Sequence, residues 1–136
     1  MAEHKAAATV RDSGPGSLLV EIATGSQTFL GDEPVAAGGT GLGPAPYDLL
    51  SAALATCTTM TVRLYADRKG WPLERIVVSV EQFKDTGVTP PDVFQRTIIL
   101  TGALDDDQRT RLLDIAEHCP VHRTLTGGAR IETRAG

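Results

Sequence analysis

The sequence predicts an α+β domain, and three observations carry that reading. The first third is a series of short alternating segments broken by turn residues. The middle holds a long run with helical spacing around Cys57, and two β-rich segments separate it from a second helical run. The 136 residues are read as a single domain over 1–136, large enough to bury its own core without disulfide or metal staples.

In chain order, residues 1–36 form an antiparallel meander of three strands. AAATVR alternates loosely, DSGPGS is a turn cluster, SLLVEIA alternates again, and TGSQ connects into TFLGDE. VAAGGTGLGPAP, dense in glycine and proline, is a surface loop. The central helix spans 46–70. Pro46 suits its first position, and Asp48 places a carboxylate among the unpaired amides of the first turn. Leu50, Leu54, Cys57, Thr61 and Leu64 follow at alternating spacings of four and three, which puts Cys57 on a buried stripe. Gly70 is the expected stop.

Residues 73–102 read as a strand hairpin. Ile76, Val78 and Val80 share one face of its first strand, Val77, Ser79 and Phe83 the other, and VFQRTIILTGAL follows the turn DTGVTPPD as the second strand. Within 105–136 a second helix opens on Asp105, with Gln108 completing a capping box. Its buried face is expected to be Leu112, Ile115, Ala116 and Cys119, and Pro120 ends it. A helical turn PVHRTL then runs to Gly127 and Gly128, and ARIETR closes the chain as a final strand.

An apolar content of 41%, a charged content of 22% and a net charge of -4 give no general attraction to nucleic acid or anionic lipid. No apolar run approaches the ~18 residues needed to span a bilayer, and MAEHKAAATV lacks the apolar core and cleavage site of a signal peptide. A cytoplasmic location is expected, where a disulfide between the two cysteines would be transient and chemical. With one Trp, two Tyr and three Phe, the core must come from Val, Ile, Leu and Ala, and dimerisation would bury more surface.

Cys57 and Cys119 each have a packing role open to them, since free cysteine behaves as a small hydrophobe. Two inward cysteines in one small domain could also face each other. A reactive thiol needs a helix N-terminus, a cation or a metal beside it. Cys57 sits in mid-helix, so its charge would come from an arginine, with Arg11, Arg63 and Arg123 as candidates. Cys119, directly before Pro120, could cap the PVHRTL turn. His118, Cys119 and His122 suggest a metal set, but Pro120 breaks their common face and no CxxC or HExxH is present, so no metal is expected. The glycine-rich loop lacks the lysine and hydroxyl of a phosphate loop, and neither Ser51 nor Ser79 lies in a G-x-S-x-G elbow.

The run GGTGLGPAPYDLLSAALATCTTMTVRLYADRKGWPLERIVVSV, together with CPVHRTL, resembles the OsmC/Ohr family of thiol-dependent peroxidases. The resemblance implies an intertwined homodimer, with a six-stranded sheet in each half wrapped around central helices and active sites at the subunit interface. It implies Cys57 as peroxidatic and Cys119 as resolving cysteine, no cofactor, an organic hydroperoxide as substrate and an external dithiol as reductant. Arg11 matches the family's arginine from the N-terminal strands. The family's hydroperoxide-resistance branch carries a glutamate ten residues before the reactive cysteine; here that position is Tyr47, and the acid is Asp48, as often in the broader OsmC-like branch. Leu50, Leu54 and Val62, with Tyr47, would line an apolar substrate wall. The alternative implied by the missing glutamate is an OsmC-like protein that binds a small ligand with little turnover. A third reading is a structural dimer whose cysteines only fill the core.

Overall fold

The computed structural model describes residues 5–136. The chain forms two compact units, one ending at Leu50 and the other running Ser51–Gly136.

In the first unit, β1 (Thr9–Asp12), β2 (Val20–Thr24) and β3 (Gln27–Gly31) form the expected antiparallel meander in that order. Gly25 adopts φ 55° in the turn between β2 and β3, a conformation that favours glycine. The glycine-rich loop after β3 is tightly built. Buried Asp32 accepts hydrogen bonds from the backbone N–H groups of Glu33, Thr40 and Leu42 at 2.8, 3.0 and 3.2 Å, and from the Thr40 hydroxyl. Two close approaches demand glycine: a Cβ on Gly39 would overlap the Glu33 carbonyl, and one on Gly43 the Leu30 carbonyl.

The central helix α1 (Pro46–Lys69) has the predicted bounds. It ends in a Schellman motif, with Gly70 at φ 67°, its N–H donating to Asp67 and the Trp71 N–H to Ala66. Its buried stripe differs from expectation. Leu54, Thr58, Val62 and Ala66 are buried, while Leu50 and Leu64 are exposed and Cys57 is half-buried. Alanines and threonines surround the helix on every side, so its own periodicity does not fix the phase; the elements packed on it do. The same small residues keep it apolar without a long aliphatic run. By length and composition α1 could therefore cross a membrane, contrary to expectation, as core helices of soluble proteins also could.

In the second unit β4 (Leu73–Lys84) and β5 (Asp92–Gly102) make the predicted hairpin, in a register that places Val80 opposite Arg96. The inward face of β5 carries Phe94, Arg96, Ile98 and Leu100. Val62 and Ala66 of α1, Leu73, and Leu112 and Ala116 of α2 (Asp106–Ala116) form the core, against which Ile76, Ile98 and Leu100 pack. Arg63 donates to the carbonyls of Leu73 and Glu74 at 2.6 and 3.2 Å, and so ties α1 to the start of β4.

The capping box at Asp105 and Gln108 forms as read. Cys119 does not lie on α2, however. That helix ends at Ala116, and Cys119 is the N-cap of α3 (Pro120–Gly127). The reason is local: a proline pushes the residue before it out of the helical region, and Cys119 is extended at φ −69° and ψ 142°. The final strand expected from ARIETR is absent. Residues 128–136 are irregular and exposed, with Ile131 91% accessible, because a strand needs a ladder partner and this segment has none within the described residues.

Candidate active site

The second unit brings Cys57 and Cys119 together. Cys57, in the middle of α1, has the Cys119 thiol and the Val121 backbone N–H acting on its sulfur, with the Thr61 hydroxyl nearby. Burial, and then Cys119 itself, push the Cys57 thiol above its usual range, against the lowering effect of the Val121 amide. Cys119 is fully buried. As N-cap its sulfur accepts from the His122 N–H at 3.3 Å. Pro120 has no N–H, so the first two amides of α3 serve the two sulfurs, Val121 at Cys57 and His122 at Cys119.

Around this pair stands a polar network that the sequence reading did not find. Arg96 donates from Nη1 to the Thr58 hydroxyl at 3.0 Å and to the Ala116 carbonyl at 3.3 Å. Its Nη2 meets His122 Nδ1 at 3.1 Å and the Glu117 carboxylate at 3.5 Å. Guanidinium groups only donate, so His122 Nδ1 accepts, which places the ring proton on Nε2, 3.3 Å from the same Glu117 oxygen. Thr58, fully buried, donates to the Leu54 carbonyl at 2.7 Å and lies 3.8 Å from the Cys119 sulfur. The signal was available: Arg96 occupies an inward phase of β5 among Phe94, Ile98 and Leu100, a costly place for a guanidinium without partners.

Beside the network opens a cleft of about 640 Å³ with apolar walls that include Leu54, Phe94 and Leu125. Its polar side is Arg96, His122 and Glu117. Leu54, one of the residues read as a substrate wall, lines this cleft. Val62 does not, because it is fully buried in the core.

The other candidates lie in the first unit. Arg11 is exposed on β1 opposite Glu21. Asp48 accepts from the Ala45 N–H at 3.0 Å and caps the start of α1. Tyr47 and Asp48 line a separate cleft of about 450 Å³ with Glu33. Leu50 is 41% exposed. Of the remaining arginines, Arg63 is committed to β4 carbonyls and Arg123 is exposed. His118 turns back to the Asp114 carbonyl, away from the His122 network. Among the described residues no three His, Cys, Asp or Glu side chains gather as a metal set.

Comparison with known proteins gives a consistent result. The fold is similar to that of an OsmC-like protein from Mycoplasma pneumoniae, with a TM-score of 0.73 at 19% identity over 93% of this chain and 90% of that one. An organic hydroperoxide resistance protein OsmC from Legionella pneumophila gives a TM-score of 0.69 at 21% identity, over 93% of each chain. The organic hydroperoxide resistance protein OhrB of Bacillus subtilis gives 0.62 at 24% identity, over 91% of this chain and 92% of that one. No curated protein matches the sequence. Residues 39–134, spanning α1, the hairpin and both cysteines, match the family described as OsmC-like protein, and the chain belongs to that family.

Proposed function

We propose that the protein is a cysteine-based peroxidase that reduces organic hydroperoxides to alcohols. The observation that carries this reading is the meeting of Cys57 and Cys119 at the start of α3, with the Val121 amide at one sulfur and the His122 amide at the other. The hydroperoxide-resistance proteins among its structural neighbours support it. The Cys57 thiolate attacks the distal peroxide oxygen, the O–O bond breaks, and the departing alkoxide takes a proton to become the alcohol. Cys119 then attacks the Cys57 sulfenic acid; an S–S bond forms and the oxygen leaves as water once protonated. An external dithiol reopens the disulfide by exchange.

Because burial raises the Cys57 thiol, thiolate formation there calls for a cation. We assign that role to Arg11, with Asp48 as its acidic partner, in an intertwined homodimer whose active sites lie at the subunit interface. The apolar face that α1 leaves open, with Met60 66% and Leu64 51% exposed, supports a second copy as its cover. Leu50 and Tyr47, both exposed apolar side chains, and Leu54 at its cleft support an alkyl or fatty-acid peroxide over hydrogen peroxide.

Mass spectrometry after one equivalent of cumene hydroperoxide is the direct test. A Cys57–Cys119 disulfide is expected, absent in Cys57→Ser; two unmodified thiols in the wild type would overturn the reading. A protein that only binds a small ligand would instead bind it saturably after Cys57→Ser and consume no peroxide with any dithiol.

A further inference from the structure

Cys119 has an electrostatic support that the reaction scheme above leaves unused. Its sulfur is fully buried, yet faces two hydrogen-bonding groups, the His122 N–H and the Thr58 hydroxyl. The Thr58 proton points to the Leu54 carbonyl, so the thiol proton of Cys119 is the one that lies between Sγ and Oγ1. When that proton is lost, the hydroxyl can turn from the Leu54 carbonyl to the sulfur. Arg96, donating to the same oxygen, polarises the hydroxyl and makes it a stronger donor. Arg96 also holds the Ala116 carbonyl, which accepts the Cys119 N–H at 3.4 Å, and so fixes the backbone that carries the sulfur.

We infer that Arg96 is a positioning residue for Cys119, favouring negative charge on its sulfur through Thr58 while that sulfur attacks or leaves. The inference rests on the peroxidase reading for its purpose, though the charge effect itself does not need a peroxide. In the step concerned, the Cys119 thiolate attacks the Cys57 sulfenic sulfur and the S–O bond breaks. Hydroxide departs and takes a proton from solvent; Cys119 is oxidised, and Cys57 is reduced, to the disulfide they share. The charged and titratable groups that the network gathers beside Cys119 include Cys57 on α1, Arg96 on β5, Glu117 between α2 and α3, and His122 on α3. His118 turns to the Asp114 carbonyl, and Arg123, whose backbone N–H meets the Cys119 carbonyl, is exposed. Glu117 pairs with Arg96 and offsets part of its charge, which gives the proposal a sign test.

The test follows thiolate absorbance against pH in a Cys57→Ser background, where Cys119 is the last thiol. Arg96→Met should raise the Cys119 midpoint by about one unit, a tenfold loss of thiolate, and Arg96→Lys should recover part of it. Thr58→Val should raise it and Thr58→Ser should not. Glu117→Gln should lower it, with a gain of about threefold in thiolate, a modest effect because Glu117 is largely exposed. A purely structural role for Arg96 predicts no such opposition of sign. An unmoved midpoint in Arg96→Met, or an upward shift in Glu117→Gln, would overturn the inference; if Arg96→Met does not fold, the Thr58 and Glu117 variants decide it. A second arm keeps Cys57 and traps its sulfenic acid with dimedone after one equivalent of cumene hydroperoxide. A sulfenic acid several-fold longer-lived in Arg96→Met supports the inference. If neither the wild type nor Arg96→Met yields a dimedone adduct or a Cys57–Cys119 disulfide, the peroxidase reading is overturned, while the titration still decides the role of Arg96.

Discussion

Asp32 and Arg96 are both charged side chains tucked beneath the surface of their own unit, and they are satisfied in different ways. Asp32 takes all its hydrogen bonds from residues within ten positions along the chain, three of them backbone amides. Arg96 reaches partners 20, 26 and 38 positions away, on three different helical segments. The first arrangement closes a loop. The second ties α1, the end of α2 and α3 to β5, and it does so around a thiol. A charge satisfied by neighbours in sequence organises local backbone; one satisfied across the fold can couple elements and chemistry.

The largest effect that would sharpen this contrast is expected from Arg96→Met. It strips Thr58 and the Ala116 carbonyl of a buried donor, at a cost of about 3 kcal/mol in global stability, measured by denaturant unfolding. Gly39→Ala comes next, at about 2 kcal/mol, because its new Cβ meets the Glu33 backbone and not a side chain that can swing away. Its hallmark should be faster amide exchange at Thr40 and Leu42, with the core of the second unit still protected.

Asp32→Asn tests the same loop through pH. Hydrogen bonds from the Thr40 hydroxyl and from the Leu42, Glu33 and Thr40 amides, outweighing burial, hold the Asp32 carboxyl at about 2 against an ordinary 3.8. A depressed folded value means that this stabilisation is complete above the ordinary value and is lost as pH falls from 3.8 through about 2. Melting temperatures of wild type and Asp32→Asn should therefore differ near neutrality and converge at the acid end. A constant gap across that window would mean that the amides do not recognise the charge. The smallest effect belongs to Asp48→Asn, an exposed cap at the start of α1, expected to cost under about 1 kcal/mol in thermal unfolding.

The same distinction explains what could be read from the chain alone. The capping box at Asp105 and Gln108, the glycine stop at Gly70 and the meander turns depend on residues close in sequence, and each formed as expected. The buried phase of α1 could not be read, because alanine and threonine surround the helix and the deciding contacts come from Leu73 and Leu112. For Cys119 the apolar spacing past Ala116 points to α2, whereas its place directly before Pro120 points to a cap of the PVHRTL turn, and the structure has the cap. Arg96 escaped because its partners are distant in sequence, although its inward phase on β5 was a local clue. The two cysteines, by contrast, lie near each other in the second unit, and their inward placement on separate helical segments already allowed them to face each other.

The unequal burial of the two sulfurs gives the pair a direction. Cys57 is half-buried and Cys119 is fully covered. If the proposed disulfide forms between them, an incoming thiolate would meet the Cys57 side first, and Cys119 would be the sulfur expelled. Exchange runs fastest when the expelled sulfur bears charge comfortably. Arg96, Thr58 and the His122 amide are gathered at the Cys119 sulfur, so under the proposed function the reduced structure would already set the direction in which that disulfide reopens.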